Sequence, residues 1–214
     1  MSTPVSTAVS PAVSPAVSPK GQSLRSWASR DVVVDRRARL AVGILAFALA
    51  TVFGAQIAVP VPLTPVPITL QTLFVILAGV VLGPRAGAAS MALYVGVGAL
   101  GAPVFSNGGA GLAWLLGPTG GYLLSYPASA FVAGWIASPW RSGRSSALWL
   151  VGGLLAGVAV QYTAGLLQLS LLTGRPFAEV LAMGALPFLF GDGVKIATAA
   201  WLARGMRSTS FGEL

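Results

Sequence analysis

The feature that most constrains this chain is a succession of long apolar runs, broken only by short stretches rich in glycine, proline and arginine. Charged residues make up 8% of the 214 residues, whereas a typical soluble domain carries about 25%. A soluble fold of this size could not bury so much apolar surface, so lipid must solvate most of it. Six runs are candidate helices: 40–58, 69–82, 86–100, 119–137, 147–172 and 187–203. The sequence therefore predicts an all-α membrane protein, a bundle of six transmembrane helices.

The lysines and arginines lie at the ends of these runs. Of the 13, all except Arg175 and Lys195 precede the first run or follow the second, fourth or sixth run. In a six-helix protein these positions share one side of the membrane, and cytoplasmic segments are the ones enriched in Lys and Arg. We therefore expect both termini in the cytoplasm. This pattern accounts for the net charge of +8, and nucleic-acid binding is not expected.

One membrane domain is predicted, with a tail at each end. Residues 1–35 are rich in Pro, Ser and Ala and predict a disordered tail. The membrane domain is predicted to span 36–207, and 208–214 to form a C-terminal tail. The prolines of 60–67 exclude a helix interior. The second run is short for a span, so we expect it to begin within this proline segment or to lie beside it at an angle.

Asp192 and Lys195 are the sharpest indication of a functional site, because both lie inside an apolar run. Their spacing of three puts them on one face of a helix. Each charge costs about 2.5–3.5 kcal/mol at the membrane centre on insertion scales. The pair either fixes helix packing as a salt bridge or faces an internal pocket. Intramembrane charge favours the pocket, where the lysine would suit a ligand carboxylate and the aspartate ligand N–H donors.

The glycine-rich loop of 102–111 offers a further polar candidate, Asn107. Asparagine before glycine is typical of a turn, yet the loop could also fold over a ligand and present the amide to it. Tyr94, Trp114 and Tyr122 flank this loop. They either anchor the chain at the membrane interface or line an apolar pocket.

Small residues recur every fourth position in the first run, at Ala46, Ala50, Gly54 and Ala58. Such spacing lets another helix approach closely. The stripe is either packed inside this protein or is a docking surface for another membrane subunit.

The absence of Cys and His excludes thiol chemistry and removes the commonest metal ligand and general base. Neither a metal nor a cofactor is expected. An intramembrane lipid-modifying enzyme is one alternative, but proton transfer would depend on a single charged pair. A ligand-free assembly subunit is another alternative, in which Asp192 and Lys195 would serve only helix packing. An ion-coupled transporter would need broken helices and inverted repeats, and the echo between LGPR of 82–85 and LGPT of 116–119 is too short for one.

Several linked motifs resemble the BioY family, the biotin-capturing substrate-binding components of energy-coupling-factor transporters. They are VPITLQTLFVILAG of 66–79, LGPR of 82–85, GAPVFS of 101–106, LGPTGGY of 116–122 and FGDGVKI of 190–196. The likeness covers about 40–203 and leaves out the N-terminal repeats.

The resemblance implies a six-helix protein that is not an enzyme and that binds biotin near the outer face. Lys195 would neutralise the carboxylate, and Asp192 and Asn107 would read the ureido ring. The aromatic residues would cover the remaining ring, with Gln71 and Thr69 as weaker contacts. The family's partners are a membrane coupling subunit, docked on the stripe of the first helix, and two cytoplasmic ATPases. This chain has no phosphate-binding loop of its own, so those partners would hydrolyse the ATP.

Overall fold

The computed structural model describes residues 36–62 and 64–207. The predicted tails, 1–35 and 208–214, lie outside the described residues. The described chain is mainly helical, with two short strands between the first two helices. The helices are α1 Arg36–Gln56, α2 Gln71–Leu82, α3 Pro84–Ala99, α4 Gly111–Leu115, α5 Gly120–Ile136, α6 Ser138–Arg141, α7 Ala147–Thr173, α8 Phe177–Gly184 and α9 Leu189–Arg207.

Helix α2 is the centre of the bundle, although it is only 12 residues long. It packs against α1, α3, α5, α7 and α9. Its apolar side chains are buried on every side of the helix, Val75, Ile76 and Val80 completely so. A helix that is apolar all round belongs in an interior rather than at a boundary with solvent. This explains how so short a helix can lie in a membrane protein: other helices surround it.

Glycines allow the central helices to approach closely. A side chain at Gly79 of α2 would overlap the carbonyl of Ala130 in α5, and one at Gly134 of α5 would overlap the carbonyl of Gly79. Small residues at such crossings are the usual means of bringing membrane helices into backbone contact. The close packing of α2 on α5 fixes the wall of the cavity described below.

The proline segment forms a loop that two strands close. Strand β1, Ala58–Val59, pairs antiparallel with β2, Ile68–Thr69. The backbone N–H of Leu70 then donates to the carbonyl of Gly54. Helix α2 therefore begins at Gln71, after the strand, and not inside the proline segment.

Two described helices are long and apolar enough to cross a membrane by themselves, Arg37–Gln56 and Ala147–Thr173. Helices Phe177–Gly184 and Leu189–Met206 meet the same test together, with a bend of 51° between them. The predicted count of six membrane crossings therefore stays a prediction. Helix boundaries differ from the predicted runs by up to four residues, because the arginines that precede the first and follow the last run continue the helices.

Candidate functional site

A cavity of about 590 Å³, its open mouth included, lies among α2, α5, α7 and α9. Its walls are partly apolar, with Val66, Leu123, Val158 and Phe188. Its polar lining consists of Thr69, Gln71, Thr72, Ser106, Thr119, Tyr122, Tyr126, Gln161, Tyr162, Asp192 and Lys195. Small-molecule sites are usually mainly apolar with a few polar groups, and this cavity has a larger polar share than that.

The charged centre of the cavity is the pair Asp192 and Lys195, on the first two turns of α9. The Lys195 Nζ donates to Asp192 Oδ1 over 2.9 Å. The residues are only 6% and 7% exposed, while Phe190 and Val194 on the same helix are exposed. The first turns of α9 thus direct Asp192 and Lys195 inward and Phe190 and Val194 outward. An ammonium has three donors, so the lysine can bind a second acceptor without leaving Asp192.

One tyrosine binds Asp192, and a second packs against the ring of the first. The Tyr162 hydroxyl donates to Asp192 Oδ2 over 2.5 Å, the short distance expected for a hydrogen bond to a carboxylate. The ring of Tyr122 meets that of Tyr162 edge-on, with centroids 6.4 Å apart. The Tyr122 hydroxyl donates to the Gly184 carbonyl over 2.7 Å. The aromatic wall therefore links α5, α7 and the end of α8 around the charged pair.

Gln71 is oriented by hydroxyl groups on both sides. Thr69 Oγ1 donates to Gln71 Oε1 over 2.9 Å, and Gln71 Nε2 donates to the Tyr94 hydroxyl over 2.6 Å. Tyr94 in turn donates to the Val104 carbonyl over 3.1 Å. Tyr94 is buried and is not among the cavity-lining residues. It contacts the cavity lining through Gln71 and through the stacking of its ring on Tyr126.

A second buried amide, Gln161, lines the cavity from α7. Its Nε2 donates to Ser129 Oγ over 2.8 Å, and its Oε1 accepts from Thr72 Oγ1 over 3.2 Å. The sequence reasoning missed Gln161, Thr72 and Tyr162. The sequence does mark Gln161, as an amide in the middle of the longest apolar run, but not which face of the helix it occupies.

Five of the predicted ligand residues line this cavity, and three do not. The lining residues are Lys195, Asp192, Tyr122, Gln71 and Thr69. The others are Tyr94, Asn107 and Trp114. Asn107 is exposed, with a positive φ of 55°, in the 3₁₀ turn Ser106–Gly108, and it is the neighbouring Ser106 that reaches the cavity.

Trp114 covers a glycine of the loop instead of the cavity. A side chain at Gly109 would overlap the indole ring. Within the described part of the chain the indole N–H has no hydrogen-bond partner. The loop and α4 therefore pack on each other beside the cavity mouth.

The small residues of α1 do not share one face. Ala46 is exposed, Ala50 is half-buried, and Ala58 lies beyond the helix in β1. Gly54 is buried, and a side chain there would come within 2.8 Å of Phe74. Four residues exceed one helical turn of 3.6 residues, so each step rotates the position further round the helix. Of the three stripe residues within α1, Ala46 and Ala50 remain at least partly open to a partner.

The described fold and site define a helical membrane protein with an internal cavity for a small polar molecule. The profile of the BioY family matches residues 25–210, and the chain belongs to that family. The probable biotin transporter BioY of Pyrococcus horikoshii is 42% identical over 164 residues, which cover 77% of this chain and 93% of that protein. The biotin transporter BioY of Thermotoga maritima is 38% identical, covering 73% of this chain and 89% of that protein.

A solved structure supports the same relationship. The crystal structure of the S-component for biotin from an ECF-type ABC transporter superposes with a TM-score of 0.76 at 25% identity. The match covers 82% of this chain and 94% of that chain. The predicted family is thereby confirmed.

Proposed function

We propose that this chain captures biotin and carries it across the cytoplasmic membrane as the substrate-binding component of an energy-coupling-factor transporter. The observation that carries the proposal is the buried Asp192–Lys195 pair on the wall of a cavity that other polar side chains also line. The relatives named as biotin transporters, and the S-component for biotin with the same fold, identify the ligand class.

The ligand carboxylate binds the Lys195 ammonium. Its hydrogen bond to Asp192 uses one of its three donors. Tyr162 stabilises the second carboxylate oxygen of Asp192, which lessens the repulsion between that residue and an incoming carboxylate. A charge-assisted hydrogen bond in a poorly hydrated cavity is stronger than one in water. The apolar wall receives the saturated parts of biotin.

The chain crosses the membrane six times, through α1, α2, α3, α5, α7 and the bent pair α8–α9. Helix α2 rises only about 18 Å, but it is surrounded by protein and need not match the lipid thickness. Two of the arginine-bearing segments lie together, since a side chain at Gly83, in the turn before Arg85, would overlap the Arg141 guanidinium. By the positive-inside tendency, that end and both termini are cytoplasmic.

The cavity then opens toward the outer side of the membrane. Three lining residues lie in the first turn of their helices: Gln71 of α2, Tyr122 of α5 and Asp192 of α9. The opposite end of each of these helices contains arginine or is followed by it. Capture from outside is what an uptake component requires. A membrane coupling subunit docks on α1 at Ala46 and Ala50, and two cytoplasmic ATPases supply the energy.

Calorimetric titration of the purified protein in detergent tests the proposal. We expect saturable binding of biotin, weakened about tenfold or more both by Lys195→Met and by use of biotin methyl ester, since each removes one charge of the same contact. The two changes together should cost little more than either alone.

Thr198→Val is the matched control. It lies one turn beyond Lys195 on α9, its hydroxyl has only the Val194 carbonyl as a partner among the described residues, and it does not line the cavity. Biotin affinity should therefore be unchanged. If folded wild-type protein did not bind biotin, the proposal would be wrong and the Asp192–Lys195 pair would serve only helix packing. Equal affinity for biotin and its methyl ester would show that the ligand carboxylate does not bind Lys195.

A further inference from the structure

The charged pair can read only one end of the ligand. Lys195 Nζ and Asp192 Oδ1 are 2.9 Å apart, whereas a saturated chain and a ring separate the carboxylate of biotin from its ureido group. A ligand held at Lys195 therefore presents its neutral end to another part of the cavity. The remaining lining offers the amides Gln71 and Gln161 and several hydroxyl groups.

The amide of Gln161 has a defined orientation. The Ser129 hydroxyl donates its hydrogen to the Gly157 carbonyl over 2.8 Å. It can then only accept from Gln161, and the atom that faces it must be the Nε2 donor. The Oε1 atom consequently faces Thr72, which donates to it.

Gln161 retains unused hydrogen-bonding capacity. A primary amide has two N–H donors and two acceptor lone pairs. The described protein contacts use one donor and one lone pair. The residue is only 4% exposed, and its open side is the cavity. An amide buried in a membrane helix with half of its capacity open toward a cavity is well suited to a neutral ligand group that carries both a donor and an acceptor.

We propose that Gln161 is a specificity-determining residue that binds the neutral, urea-like end of the ligand, with Ser129 as its positioning residue. The assignment rests on the proposed function. The free N–H of Gln161 donates to the ureido oxygen, and the free lone pair of Oε1 accepts a ureido N–H. A carboxylate in the place of this amide could not donate, so the oriented amide distinguishes a urea from groups that lack its pattern of donor and acceptor.

The test compares two ratios of affinity in the full-length protein. The ratio of the affinity for biotin to that for 2-thiobiotin, whose sulfur is a weak acceptor, reports on contacts to the ureido end. Biotin against its methyl ester reports the carboxylate end. We expect Gln161→Met to reduce the first preference about tenfold and to leave the second unchanged. Lys195→Met should reduce the preference for biotin over its methyl ester and leave the preference over 2-thiobiotin unchanged.

Gln168→Met is the matched control, two turns further along α7. Gln168 donates to the carbonyls of Leu115 and Gly117 and does not line the cavity. It should lower thermal stability and keep both preferences. If Gln161→Met does not fold, Ser129→Ala is the second variant: it frees the amide to turn over and should reduce the preference for biotin over 2-thiobiotin several-fold.

Three results would overturn the assignment. Equal loss of affinity for biotin and 2-thiobiotin in Gln161→Met would mean that the amide only joins helices. An unchanged preference in both Gln161→Met and Ser129→Ala would place the ureido group elsewhere. Failure of wild-type protein to bind biotin at all would overturn the proposed function, and this assignment with it.

Discussion

Replacing Tyr162 by phenylalanine removes one oxygen atom from the charged centre of the cavity and little else. That oxygen donates to Asp192 Oδ2 over 2.5 Å, and Asp192 is 6% exposed. A hydrogen bond to a charged group contributes about 1.5–3 kcal/mol. For a domain of 150–250 residues each kcal/mol shifts the melting temperature by about 2–4 °C. We therefore expect Tyr162→Phe to melt about 3–12 °C lower.

Thermal unfolding in detergent provides the assay, and a double-mutant cycle isolates the bond. In an Asp192→Asn background the acceptor is no longer charged, so Tyr162→Phe should cost much less, with a coupling energy of about 0.5–3 kcal/mol. Tyr126→Phe is the control, because within the described residues the Tyr126 hydroxyl makes no hydrogen bond and its ring stacking with Tyr94 survives. Equal melting temperatures for Tyr162→Phe and wild type, or no coupling to Asp192, would refute the reasoning.

Two further predictions concern the buried ion pair and the close approach of the helix backbones. Asp192→Ala leaves a buried ammonium without its counter-ion and should cost about 3–5 kcal/mol; thermal unfolding should show partial recovery when Lys195→Met is added, and no recovery would argue against the pair. Gly79→Ala forces a methyl group into the Ala130 carbonyl and should cost about 1–3 kcal/mol. Gly96→Ala, with nothing within 4 Å, should leave the melting temperature unchanged or higher; equal effects of the two glycine changes would contradict the packing.

The sequence predicted the helices where lipid exposure or length makes them unambiguous. Helix α7 matches its apolar run to within one residue, and α1 was predicted as a helix although it begins four residues earlier, because a long uncharged run has no other stable form in a bilayer. It could not predict that α2 begins only after a strand, since the pairing of Ala58–Val59 with Ile68–Thr69 depends on contacts across the proline loop. Nor could it predict the rotation of the α1 stripe, in which Gly54 packs inward.

The cavity residues likewise include some that the sequence could predict and some that it could not. Asp192 and Lys195 were recognisable from the sequence because charge is so costly in an apolar run. Gln161 and Tyr162 are adjacent in sequence, and both reach the cavity from one helix. Periodicity does not distinguish such residues from polar groups that join helices, because only the positions of Ser129 and Asp192 on other helices give them their roles.

The structure of the protein crystallised with biotin tests the central claim most directly. The account predicts biotin inside the cavity, with its carboxylate within hydrogen-bond distance of Lys195 Nζ and its ureido group against the amide of Gln161. Biotin bound elsewhere, or bound in the cavity with its carboxylate away from Lys195, would contradict it.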